Sequence, residues 1–255
     1  MADQRQWRRA LRIAGGVGVA VVMAAALHDV TSGSSRPTIR ATSPPDPLTP
    51  SPSAPAPSRD PSAPLLAGLI VNNADVGPSL TVAGLPGGNG LTQPTLDLCN
   101  GTFPSESMRT ARLQVAAVDG PGDTVLSTEA VLYFSGAGTT AAFSELKATA
   151  AACPEGPVGQ PTVTTRFGPA PDGGWPQVPS VERLAFAYDT TDAAGDTSHA
   201  VAVYLRRGRA LLGVYFFHPE SPSAVVEGHT SLPDIVNVFA ARLAKLPVAA
   251  ISTTA

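Results

Sequence analysis

Residues 110–134 read TARLQVAAVDGPGDTVLSTEAVLYF, and the spacing of apolar side chains in this stretch decides the fold class. Ala111, Leu113, Val115 and Ala117 fall on one side of an extended chain, with Arg112 and Gln114 on the other. Beyond Asp119-Gly120-Pro121-Gly122 the pattern resumes. Leu126, Ala130, Leu132 and Phe134 point one way, and Ser127, Glu129 and Tyr133 the other. A period of two marks a half-buried strand, and a short Gly/Pro turn between two such runs predicts a hairpin. At residue 137 the period changes. Phe143, Leu146, Ala150 and Cys153 recur at steps of three and four, which predicts a helix over 137–153 that Pro154 ends.

Outward from this block, residues 162–167, 182–189, 198–206 and 210–217 read as four more strands. From Ala200 to Leu205 both faces are apolar, which predicts a central strand covered from two sides. Arg207-Gly208 supplies a tight turn before the last strand. A second helix is predicted over 232–246, with Leu232, Ile235, Val236, Phe239, Leu243 and Leu246 on one stripe. Ser231 and Asp234 resemble a capping box, Pro233 suits the first turn, and Pro247 stops the helix. The order β-β-α-β-β-β-β-α predicts an α+β domain, an antiparallel sheet of about six strands packed by two main helices. Residues 65–100 predict only a short helix or strand and a Gly-rich loop at Pro86–Gly90. There is no internal repeat.

The N-terminal part of the 255-residue chain carries an address. Arg5, Arg8, Arg9 and Arg12 precede an uncharged run, Ile13–Leu27, with small residues at Ala24-Ala25-Ala26. Residues 1–30 therefore read as a signal peptide cleaved after Ala26, or as an uncleaved signal anchor touching the membrane through residues 10–27. Residues 31–64 hold ten Pro, eight Ser and four Thr and read as a disordered linker, extended as a stalk. That leaves 65–247 as the folded domain and 248–255 as a tail. The expected location is extracytoplasmic, membrane-anchored or secreted. A net charge of -3 excludes a nucleic-acid binder, which needs a dense basic stripe.

Leu96-Asp97-Leu98-Cys99-Asn100-Gly101-Thr102-Phe103-Pro104-Ser105-Glu106, then Arg109-Thr110-Ala111-Arg112 leading into a strand, and later Ala152-Cys153-Pro154 carry a family likeness. They resemble actinobacterial extracytoplasmic sensor domains, the family of the extracellular domain of PknH-type receptor kinases and their free-standing relatives. The resemblance covers roughly residues 65–247, and its specific part is the block from Cys99 to Pro154. It implies a disulfide-bonded, cleft-bearing α+β domain that binds an envelope ligand, and a Cys99–Cys153 pairing. The chain departs from the kinase members in having two cysteines where four are common. It has no HRD or DFG triplet, which excludes phosphorylation by this chain.

The chemistry-bearing residues are few. In an exported protein Cys99 and Cys153 meet an oxidising compartment, which favours a structural disulfide; a buried thiol pair and a redox role are the alternatives. His28, His199, His218 and His229 lack ligand spacing, so no metal or cofactor is expected. Ser198, His199 and Asp196 resemble a triad only in composition, because neighbours on a strand face opposite ways. Two features are candidates for ligand binding. Trp175 lies in a long loop and reads as a binding platform or as an aromatic anchor at the edge of the core. Arg206, Arg207 and Arg209 crowd one hairpin tip and read as a site for an anionic polymer or phosphate headgroup, or as a solvated turn.

The sequence thus points to a non-catalytic binding or sensor domain, its partner an envelope small molecule, polymer or protein. An envelope hydrolase with an unrecognised site and a structural interaction protein are the alternatives.

Overall fold

The computed structural model describes residues 60–252, apart from 97, 100, 121, 154–155, 158–163, 170–174, 176, 192–194, 196 and 218–223. The signal and most of the linker lie outside the described residues, as do His28 and His218. Among the described residues no helix is long and apolar enough to cross a membrane.

The hairpin read from residues 110–134 forms as β2 (Arg109–Val118) and β3 (Thr124–Tyr133), preceded by the short strand β1 (Thr81–Gly84). Helix α1 (Gly136–Ala152) follows. Then come β4 (Gly156–Pro157), β5 (Thr164–Pro169), β6 (Glu182–Thr191), β7 (Thr197–Arg207) and β8 (Ala210–Phe217). Helix α2 (Leu232–Ala244) and a single turn, α3 (Val248–Ile251), complete the chain. All eight strands belong to one sheet in the order β1-β2-β3-β8-β7-β6-β5-β4. Every neighbouring pair is antiparallel. Six strands have six residues or more, and the short β1 and β4 sit at the two edges. This is the predicted α+β architecture.

The sheet is covered on both sides, and alternation along the central strands sorts the two cores. Val201, Val203 and Leu205 of β7, with Leu212, Val214 and Phe216 of β8, pack on one face beneath Ile235, Val236, Phe239 and Leu243 of α2. Ala202, Tyr204, Leu211 and Tyr215 face the other way, toward Ala142, Phe143 and Leu146 of α1. Ser231 caps α2 by accepting a hydrogen bond from the Asp234 amide. At the other helix, a Cβ on Gly138 would meet the Tyr133 ring at 2.7 Å, so glycine there lets the start of α1 lie flat on the sheet. The β7–β8 turn is Gly208-Arg209, one residue later than the sequence reading, with Gly208 at φ +55°.

Three readings are corrected. The second face of the β2–β3 hairpin is not solvated: Arg112, Gln114, Ser127 and Glu129 are all buried. Period two tells which residues share a face but not what covers it, and here α1 and the segment before β2 close over the polar side. The ordered domain also begins before residue 65. Asp60 is buried, and Ala63–Gly68 form a 3-10 turn with Leu66 in the core. Lastly, residues 248–251 are not a tail. Ala250 is buried and the backbone carbonyl of Ile251 accepts from the amide of Arg209.

Candidate functional site

Where β6 begins and β7 ends, the sheet passes under the middle of α2 and leaves a groove of about 300 Å³. Its floor is apolar, from Val181, Leu205, Val236 and Ala240. Its polar lining comes from Gln177, Glu182, Arg183 and Asn237. The period of β6 decides which side chains reach it. Val181, Ala185 and Ala187 pack on the α2 face, whereas Leu184, Phe186 and Tyr188 pack on the α1 face. Arg183 shares the parity of the first set. Its guanidinium stacks over the Trp175 ring at 4.5 Å from the centroid. Burial pulls the Arg183 guanidinium below its ordinary pKa. Glu182 has the opposite parity, and its carboxylate accepts two bonds from Arg206 at 2.6 and 2.8 Å.

The residues singled out by sequence fall in different places. Trp175 borders the groove through its stack with Arg183. Arg206 turns to the α1 face, donates to Thr140 at 2.6 Å and lies over the Phe143 ring. Arg207 turns to the α2 face and donates to the carbonyls of Leu243 and Leu246, closing the end of that helix. Arg209 is buried. It donates to both oxygens of Asp60, to the Ala250 carbonyl and to the Tyr133 carbonyl. Opposite pleats and the turn itself thus send the three arginines to three surroundings, and they form no common cationic patch. Cys99 and Cys153 form a disulfide with Cα atoms 5.8 Å apart. By tying the segment before β2 to the end of α1, it closes a loop worth about 4 kcal/mol in the chain-entropy model.

A second polar cluster lies inside the α1 face. Arg112 and Glu129 form an ion pair in which both side chains are 2% exposed. Thr95 and Tyr215 donate to the same carboxylate, and Arg112 also donates to Gln114. Burial drives the Glu129 carboxyl above its ordinary range, against the pull of Arg112. Glu106 is raised likewise by burial, against Arg109. Asp60 shows the reverse outcome. Burial alone would raise it, but hydrogen bonds from Arg209, Thr110 and the Ser62 amide hold it at about 2. Gly213 belongs to this design. A Cβ there would lie 2.4 Å from the Tyr215 hydroxyl, so its absence gives the phenol room to reach Glu129. These groups lie in the core with partners supplied by the chain, and they act as structural polar groups.

Asp189 and His199 face each other across β6 and β7, with the carboxylate 2.6 Å from Nδ1 and both side chains close to half exposed. His199 and Leu205 stand roughly six residues, or about 20 Å, apart along β7, so this pair is remote from the groove. Among the described residues no group of three or more His, Cys, Asp or Glu is placed to hold a metal.

Sequence reasoning missed Arg183 and Asn237. A signal for Arg183 was present: it is a charge on the same parity as Val181, Ala185 and Ala187, on a strand whose other residues of that parity are apolar up to Asp189. Asn237 gave none, since it sits between two valines beside the helix stripe.

No family model matches the chain, and no curated protein matches it. Among solved structures the chain is similar to the extracellular domain of PknH from Mycobacterium tuberculosis. The TM-score is 0.41 and the identity 10%, over 73% of this chain and 96% of that chain.

Proposed function

We propose that the chain is an extracytoplasmic binding or sensor domain, carried on a proline-rich stalk and without a catalytic step of its own, whose ligand seats in the groove beneath α2. The observation that carries this reading is the groove's mixed lining, in which the side chains of Val178, Val181, Leu205, Val236 and Ala240 meet the polar Gln177, Glu182, Arg183 and Asn237 in one concavity, as a site for a small molecule requires. The basic and apolar residues 1–30 and the stalk at 31–59 support export, and the sensor-domain resemblance of the Cys99 to Pro154 block agrees with it. Native mass spectrometry of the disulfide-intact full chain tests the reading. The expected result is an adduct of defined mass that leaves on denaturation and is absent from Asn237→Phe, a variant that fills the groove from its rim. A bare chain, with a protein partner recovered by crosslinking, would transfer the function to the surface and overturn it.

The Asp189–His199 pair supports a second reading, a hydrolase in which the imidazole is a base oriented by the carboxylate. Turnover of an ester or glycoside that His199→Gln abolishes would establish it. Absence of turnover over a panel of such substrates would dismiss it.

A further inference from the structure

We infer that the groove selects a small amphiphilic anion, with a carboxylate or phosphate head on Arg183 and an aliphatic body on Val181, Leu205 and Val236; this rests on the binding reading above. The argument begins with an unbalanced charge. Arg109, Arg112, Arg206, Arg209 and Arg242 each meet a carboxylate, and Arg207 meets two helix-end carbonyls. Arg183 is half-buried, yet among the described residues it has neither an ion pair nor a hydrogen bond, only the Trp175 ring. A cation taken partly out of water without a counter-charge is costly unless an anion joins it. The nearest acid in sequence, Glu182, also lines the groove, but both its carboxylate oxygens are taken by Arg206 and not by Arg183. The Trp175 ring lies against the guanidinium without using its N–H donors as hydrogen-bond partners, and a guanidinium binds carboxylate or phosphate through paired hydrogen bonds.

The rest of the groove fixes the body of the ligand. Val181, Leu205 and Val236 offer carbon only, so what touches them is apolar. A volume of about 300 Å³ lies at the small end of ligand cavities, which run from roughly 300 to 1,000 Å³. The amides of Gln177 and Asn237 at the rim supply further donors for the head group.

The test uses the full chain with Trp7→Phe, so that Trp175 is the sole indole and its fluorescence reports on the groove. Decanoate, decyl phosphate, decanol and inorganic phosphate are titrated in parallel. The expected result is saturable binding of decanoate and decyl phosphate, at least tenfold tighter than decanol, with inorganic phosphate weaker than either. Arg183→Gln is expected to bring decanoate down to the level of decanol while leaving decanol unchanged. Asn237→Phe is expected to weaken all three decyl probes. Equal binding of decanol and decanoate, or an unchanged preference in Arg183→Gln, would overturn the anion assignment while the binding reading stood. Inorganic phosphate binding as tightly as decyl phosphate would overturn the amphiphile and leave a free-anion site. If no probe binds the parent chain, this inference falls, while the binding reading is decided separately by the native mass of the full chain. Circular dichroism and a thermal unfolding midpoint matching the parent in Arg183→Gln exclude misfolding as the cause of a loss.

Discussion

Under α2 the central strands present Val201, Val203, Leu205, Leu212, Val214 and Phe216, carbon throughout. Turned over, the sheet presents Tyr133, Tyr188, Tyr204 and Tyr215, every tyrosine of the chain, together with Arg112, Gln114, Ser127 and Glu129. The α2 face is held by non-directional burial, which tolerates change as long as volume is kept. The α1 face depends on each polar atom finding its partner, so it specifies one arrangement and suffers when a partner is lost. The disulfide and the closely packed Gly138 both belong to this second face. The groove, by contrast, opens on the forgiving one. A site can be reshaped there without disturbing the buried Arg112–Glu129 pair.

The sharpest way to break the comparison is to strand a charge. Arg112→Met leaves Glu129 buried without its cation and is expected to cost about 4 kcal/mol in equilibrium urea unfolding. The double variant Arg112→Met, Glu129→Met should recover most of that loss. A double variant as unstable as the single would show that packing and not charge governs this face. Next in size is Leu212→Ala on the α2 face, expected to cost about 3 kcal/mol by burial loss and cavity formation. A cost below about 1 kcal/mol would mean that this face collapses around the gap.

Acid gives a smaller effect, with a definite sign. The Asp60 carboxyl is lowered in the fold, so its contribution is complete above its unfolded value of 3.8 and is lost as pH falls toward about 2. The loss is about 2 kcal/mol over that window. Replacing the pair in Asp60→Asn, Arg209→Met should flatten the acid limb of the stability curve, and an unaltered limb would assign it to other groups. Smallest is Tyr133→Phe. The Tyr133 hydroxyl is buried without a hydrogen-bond partner among the described residues, so its removal should be neutral or stabilising by up to about 1 kcal/mol. A loss beyond about 1 kcal/mol in thermal unfolding would reveal a partner such as a buried water.

The elements that a local pattern controls were legible. Residues 210–217 were bounded correctly because Gly208 on one side and the end of the apolar run on the other are local signals. The α2 cap was legible because Ser231, Pro233 and Asp234 act over a single turn. What escaped depends on contacts between distant parts of the chain. Arg112 and Glu129 look like solvent-facing residues until the loop bearing Thr95 is laid over them. Asp60 looks like part of a stalk until Arg209, far along the chain, is brought to it. The short strands β1 and β4 have little pattern of their own and form because an edge is there to pair with. In the candidate site, Trp175 was named from its loop setting. Arg183, which gives the groove its cation, became meaningful only once α2 was in place above it.

Arg209 has a mechanical consequence. One guanidinium holds Asp60, where the ordered domain begins, and Ala250, near where it ends, while its own backbone amide holds Ile251. A pull that separates residue 60 from residue 250 therefore acts directly on the contacts of Arg209 at the β7–β8 turn. The fold is a ring in space with one covalent break, and a short linker from 252 to 60 would close it. The opening could then be moved to the turn at 119–122, which would hang the same groove from the opposite end of the sheet.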